Sequence, residues 1–176
     1  MKFNHLYRLE GRIMADKSTV EEAKKIFESF LLKQGSRKTP ERFSVIDELY
    51  DLPQDEHIDV ENLFLLMRNK GYSISRATIY NTLDLLVECG LAVKHQFKDK
   101  VALYEQALTY KYHDHYVCNQ CRKIKEFSDT RINAIKDAIG KEFIAHITSH
   151  SLVLYGDCLI PNCENLKPMG LTNPYT

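Results

Sequence analysis

Apolar residues recur at helical spacing along the first half of the chain. Val20, Ala23, Phe27, Phe30 and Leu31 predict a helix from Ser18 to Lys33, stopped by Gly35. Phe43, Ile46 and Leu49 repeat the pattern over Arg42 to Tyr50, ahead of Pro53. Val60, Leu63, Phe64 and Met67 mark a third helix closed by Gly71. Ser75 is a suitable N-cap for a fourth, with Ile79, Leu83 and Leu86 on its inner face and Gly90 just past its end. The period then changes: Leu91 to Phe97 and Val101 to Glu105 read as strands about a Lys98-Asp99-Lys100 turn. Helices followed by a small hairpin make a winged helix-turn-helix, in which the helix beginning at Ser75 enters the major groove.

The second half reads as a small α/β unit. Tyr112 to Cys118 and Ile124 to Phe127 are expected strands, and Asp129 to Gly140 a helix with Ile132, Ile135 and Ile139 on one face. Ile144 to Tyr155 is expected to be one long strand, buried on both sides through Leu152, Val153 and Leu154. Pro161, Pro168 and Pro174 predict an irregular tail. The expected fold is α+β. Residues 1–107 form a DNA-binding winged helix with an N-terminal helical extension, and residues 108–176 an α/β dimerisation and metal-binding domain.

Charge changes the picture only locally. The 24 basic and 24 acidic side chains cancel. However, Lys33, Arg37, Lys38 and Arg42 cluster around Gly35, opposed by an acidic block from Asp47 to Glu61. Such patches steer partners even when the total is zero. No apolar run approaches the length of a membrane span. The stretch Met1 to Met14 is interrupted by Lys2, Arg8, Glu10 and Arg12 and has no apolar signal core, so a cytoplasmic location is expected.

Candidate chemistry concentrates in His113-Asp114-His115-Tyr116-Val117-Cys118-Asn119-Gln120-Cys121 and in the pair Cys158 and Cys163. Four thiols in two short-spaced pairs can close a tetrahedral Zn²⁺ site. Disulfides are the alternative, but in a cytosolic chain these spacings more often mark metal ligands or redox groups. The histidines are then left over for a second metal. Cys89 ends an apolar helical run and reads as a small buried hydrophobe.

Ala77-Thr78-Ile79-Tyr80, the His113-Asp114-His115 run with Cys118 and Cys121, Glu126-Phe127, and His150-Ser151-Leu152 leading to Cys158 and Cys163 stand together in one order. On these motifs, from Gly35 to Cys163, the chain resembles the ferric uptake regulator (Fur) family of metal-responsive bacterial repressors. The resemblance implies a homodimeric regulator of double-stranded operator DNA, not an enzyme. It maps structural zinc onto Cys118, Cys121, Cys158 and Cys163, and a regulatory ion onto His57, Glu105, His113, His115 and Glu126. That ion, Fe²⁺ or another divalent transition metal, would lock the two domains for operator binding. A further site found in many members falls on Tyr112, Asp114, Asn133 and His150. Two of its four ligands are thus replaced, which leaves Asp114 and His150 as a degraded site with a structural role. For DNA the resemblance implies Tyr80 against thymine methyl groups, and Asn81 stands where an arginine is common. Ser75 and Thr78 lie near phosphates, and Arg37, Lys38 and Arg42 meet the backbone or minor groove.

Within the resembled family, peroxide sensors commonly carry aspartate where this chain has Glu105 and Glu126, and zinc sensors often use a thiol that has no counterpart here, so the resemblance implies an iron signal over peroxide or zinc, with manganese and haem as alternatives. A metallohydrolase built on His113, His115 and a glutamate is the rival from another class, although no nucleophile motif accompanies the cluster.

Overall fold

The computed structural model describes residues 8–9, 12–97, 101–108, 113–157 and 159, with residues 8–9 and 12–13 described by backbone alone. The chain divides into two compact units, one ending at Lys111 and the other beginning at Tyr112.

In the first unit a short antiparallel pair, β1 (Arg8–Leu9) and β2 (Arg12–Ile13), precedes four helices: α1 (Lys17–Lys33), α2 (Pro40–Tyr50), α3 (Val60–Asn69) and α4 (Arg76–Glu88). An antiparallel hairpin follows, β3 (Ala92–His95) with β4 (Leu103–Gln106). The expected turn at 98–100 lies outside the described residues. Helix starts follow their side-chain caps. Asp16 accepts the Thr19 amide at 2.8 Å, Asp59 that of Asn62 at 2.7 Å, and Ser75 that of Thr78 at 3.1 Å. Gly71 and Gly90 take φ of +89° and +75° just beyond α3 and α4, a left-handed exit that a side chain would strain. The core is the predicted stripe of each helix: Phe27 and Leu31 from α1, Ile46 and Leu49 from α2, Leu63 and Met67 from α3, and Ile79, Leu83 and Leu86 from α4. Tyr104 of β4 closes it, and the buried Tyr50 hydroxyl donates to Leu91 O at 2.8 Å.

In the second unit, β5 (Asp114–Cys118) lies between β6 (Ile124–Phe127), antiparallel to it, and β7 (Val153–Gly156), parallel to it. Helix α5 (Arg131–Glu142) connects β6 to β7 and buries no residue among those described. Here the long strand expected from Ile144 to Tyr155 shrinks to β7. The reason is the exit of α5. Ile144 adopts a left-handed φ of 51°, and the Ala145 amide returns to Gly140 O at 2.8 Å, so these residues close the helix and cannot extend. Nor is β7 buried on both sides, since Leu154 is 47% and Tyr155 37% exposed. Among the described residues no helix is long and apolar enough to cross a membrane.

Candidate functional site

Strand alternation sorts β4 into two faces. Tyr104 turns into the core, so Glu105 must face the other way. An isolated antiparallel bridge joins Ile58 to Tyr104, with amide-to-carbonyl distances of 3.0 and 2.8 Å. It sets His57 beside Glu105. His57 Nε2 lies 3.8 Å from Glu105 Oε2, and the two side chains are only 4% and 1% exposed. A buried carboxylate is stable when paired or when it coordinates a metal. The sequence reading missed a third member, His95. The hairpin register pairs His95 with Leu103 and Val93 with Glu105, making His95 and Glu105 diagonal neighbours on one face. His95 Nε2 stands 2.5 Å from Glu105 Oε1. Its ring lies parallel to that of Phe97 at 5.6 Å and edge-on to that of His57 at 5.3 Å.

The second unit assembles its own donor set by the same alternation. His113 and His115 are two apart and share a face, and Glu126 of β6 stands opposite His115. His113 Nε2 is 3.2 Å from His115 Nε2 and 3.4 Å from Glu126 Oε1. Asp114 points to the other face. One of its oxygens lies 3.1 Å from His150 Nε2 and accepts the Leu152 amide at 3.3 Å. The carboxylate thus ties the entry of β7 to β5. Tyr112 lies outside the described residues, and Asn133 is exposed on α5.

The β5–β6 turn carries the cysteine knuckle. Cys118 is buried, and the Cys121 amide points at its sulfur at 3.5 Å, a donor suited to a thiolate. Arg122 then takes φ 60°, which turns the chain back toward β6. This half of a thiolate site suits Zn²⁺. Cys158 and Cys163 lie outside the described residues.

On α4, Tyr80 is 48% exposed while Ile79 and Leu83 are buried, so the aromatic ring stands on the outer face. Asn81 is also exposed. Lys94 of β3 bonds Asp84 of α4 at 2.9 Å, and its Nζ is 5.5 Å from the ring centres of Tyr80 and Tyr104. The Asp84 bond holds the Lys94 ammonium above the usual lysine range. Arg76, the first residue of α4, grips Glu61 through two bonds of 2.5 and 2.6 Å and lies over the Phe64 ring at 3.9 Å. Neither cation stood out in the sequence, because a single basic residue on a helix or strand has no periodic signature. Ser75 and Thr78 are engaged as cap partners, their hydroxyl oxygens 2.9 Å apart. Among the basic residues before α2, Arg37 and Lys38 are exposed, and Lys38 pairs with Glu28. Arg42 is half-buried and donates to Arg37 O at 2.8 Å, so it also braces the turn.

The chain is similar over most of its length to known proteins. The family model described as "Ferric uptake regulator family" matches residues 33–155. The ferric uptake regulation protein of Escherichia coli K12 is 32% identical over 134 residues, 76% of this chain and 89% of that protein. The crystal structure of the Vibrio cholerae ferric uptake regulator superposes with a TM-score of 0.63 at 31% identity, covering 73% of this chain and 96% of that one. The Pseudomonas aeruginosa ferric uptake regulator with manganese gives 0.64 at 28% identity, covering 76% and 98%.

Proposed function

Because the chain belongs to the ferric uptake regulator family, whose members are metal-responsive transcriptional regulators and not enzymes, we propose that it is a homodimeric, iron-responsive repressor of operator DNA. The observation that carries this reading is that each unit gathers its own His/carboxylate set: His57 with Glu105 in the first unit, and His113, His115 and Glu126 in the second. Each alone offers two or three donors, fewer than the four to six that such ions usually take. One Fe²⁺ drawing on both sets would supply the positive charge that buried carboxylates need. It would also couple ion binding to the state of the DNA-reading unit, since a ligand shifts a conformational equilibrium only through differential affinity. Imidazole and carboxylate ligands suit Fe²⁺ but also Mn²⁺ and Zn²⁺. Iron is favoured by the family pattern, in which peroxide sensors commonly carry aspartate at the positions of Glu105 and Glu126 and zinc sensors often a thiol. Manganese, present in the Pseudomonas relative, is the second cation to test.

The other assignments follow the same chemistry. Cys118, Cys121, Cys158 and Cys163 hold structural Zn²⁺. Asp114 and His150 form a structural pair in place of a further ion site. Tyr80 and Asn81 face bases, while Ser75, Thr78, Arg37, Lys38 and Arg42 face phosphate or the minor groove. A second copy of the chain covers the exposed apolar side chains of α5 and β7. Fluorescence anisotropy on an A/T-rich palindrome tests the proposal. Binding should require Fe²⁺ or Mn²⁺ under anaerobic conditions, and His57→Ala, Glu105→Ala and His115→Ala should each weaken it while leaving the fold intact. Equal binding by the wild-type chain in excess chelator would refute it.

A further inference from the structure

We propose that His95 is a positioning residue for the regulatory ion: its Nε2–H clamps one oxygen of Glu105, so that the carboxylate presents its other oxygen beside His57 as a single-point ligand. The proposal rests on Glu105 being a ligand, as read above. Its geometry lies wholly within the first unit. His95 Nε2 is 2.5 Å from Glu105 Oε1, while Oε2 is the oxygen nearer His57, at 3.8 Å.

His95 is not itself placed as a ligand. Two donors on one ion, each about 2.0–2.2 Å from it, stand about 3 Å or more apart at right-angled or tetrahedral positions. His95 Nε2 and Glu105 Oε1 approach more closely than two such ligands, within the reach of a charge-assisted N–H···O hydrogen bond, and a nitrogen that donates its proton there is no longer a metal donor. The ring is held for this task. Its strand register fixes it diagonally across from Glu105, and the Phe97 ring that lies parallel to it, with planes 2° apart, is packing and not its anchor. Glu105 is 1% exposed, so water does not compete for the clamped oxygen. Partners that orient ligating carboxylates contribute to metal affinity without touching the ion.

The test uses the full chain with its tightly held zinc, titrated with Co²⁺ and Mn²⁺, alongside thermal unfolding before either ion is added. His95→Ala is expected to weaken both ions about 10- to 100-fold and to change the cobalt d–d spectrum, as Glu105 turns to bind through both oxygens. His95→Gln, whose amide can donate to the same oxygen, should recover most of the affinity. Phe97→Leu, which removes the stack and keeps the clamp, should stay near wild type. Should His95→Ala fail to fold, His95→Phe keeps a ring against Phe97 without the N–H and takes its place. Wild-type affinity and spectrum in His95→Ala, or an equal loss in Phe97→Leu, would overturn the clamp. Wild-type affinity in Glu105→Ala would overturn the ligand assignment itself, whereas loss there beside wild-type behaviour in His95→Ala would overturn the clamp alone.

Discussion

Replacing Ile135 by aspartate on α5 should split the dimer and leave each chain folded. The helix buries none of its own residues among those described, and Ile135 is 60% exposed, Phe143 68% and Leu154 47%. Fully burying an isoleucine or phenylalanine side chain stabilises by about 1.5–3 kcal/mol. Covering the exposed part of Ile135 therefore contributes about 1–2 kcal/mol. In a two-fold dimer the same residue counts once from each chain, which doubles this to about 2–4 kcal/mol. At about 1.4 kcal/mol per tenfold, Ile135→Asp should raise the dimer dissociation constant by about 30- to 1000-fold before any cost of an unpaired carboxylate. Sedimentation equilibrium over a dilution series measures the constant, and circular dichroism reports whether the helices remain. An unchanged dissociation constant with helices intact would show that this face is not where the second copy sits.

Removal of Cys118 or Cys163 by serine should release one tightly held zinc per chain, read by metal analysis after gel filtration, and leave a monomeric or aggregating protein, since zinc affinity at such sites is folding energy. Tyr80→Ala should cut discrimination between an A/T-rich palindrome and a scrambled duplex. By contrast, Lys38→Ala should weaken both and lower the slope of log K against log salt by about one; its exposed pairing with Glu28 is too weak to prevent this exchange. Asp114→Ala should lower the unfolding temperature through loss of about 1–3 kcal/mol of buried hydrogen bonding, with metal affinity at wild-type level in a cobalt titration. Arg122→Gly should raise it, because release from left-handed strain of about 1–2 kcal/mol exceeds glycine's entropy cost of roughly 0.5–1 kcal/mol.

The four helices of the first unit were legible because each has a strong apolar stripe and a recognisable exit. Ser75 and Gly90, for example, bracket α4 closely. Candidate donors differed in how they showed: His113, His115 and Glu126 stood out through the motifs around them and the cysteines through their spacing, whereas His57 and Glu105 came only from the family resemblance. His95 did not show. Its meaning depends on the register between β3 and β4, which the charged sequence Lys98-Asp99-Lys100 between them leaves open. The strand from Ile144 was misjudged for a related reason. Ile144 and Ile147 look like strand residues, yet the end of α5 claims Ile144 and Ala145 for its own closure. An apolar run also carries no mark of what covers it, so Leu154 looked buried although it is 47% exposed.

Strand β5 has two neighbours that reach it on different schedules. Its partner β6 follows after the short cysteine knuckle, and hairpins of this kind close in about 1–10 μs. Its other partner, β7, must return in parallel after the whole of α5, and the entropy of closing that longer loop delays the pairing. During synthesis the Cys118–Cys121 knuckle is thus in place before the sequence carrying Cys158 and Cys163 has emerged. Meanwhile one edge of β5 stands open to any passing strand. Scarce zinc would therefore lower the yield of newly made protein through aggregation of half-built chains, sooner than it would shorten the life of chains already assembled.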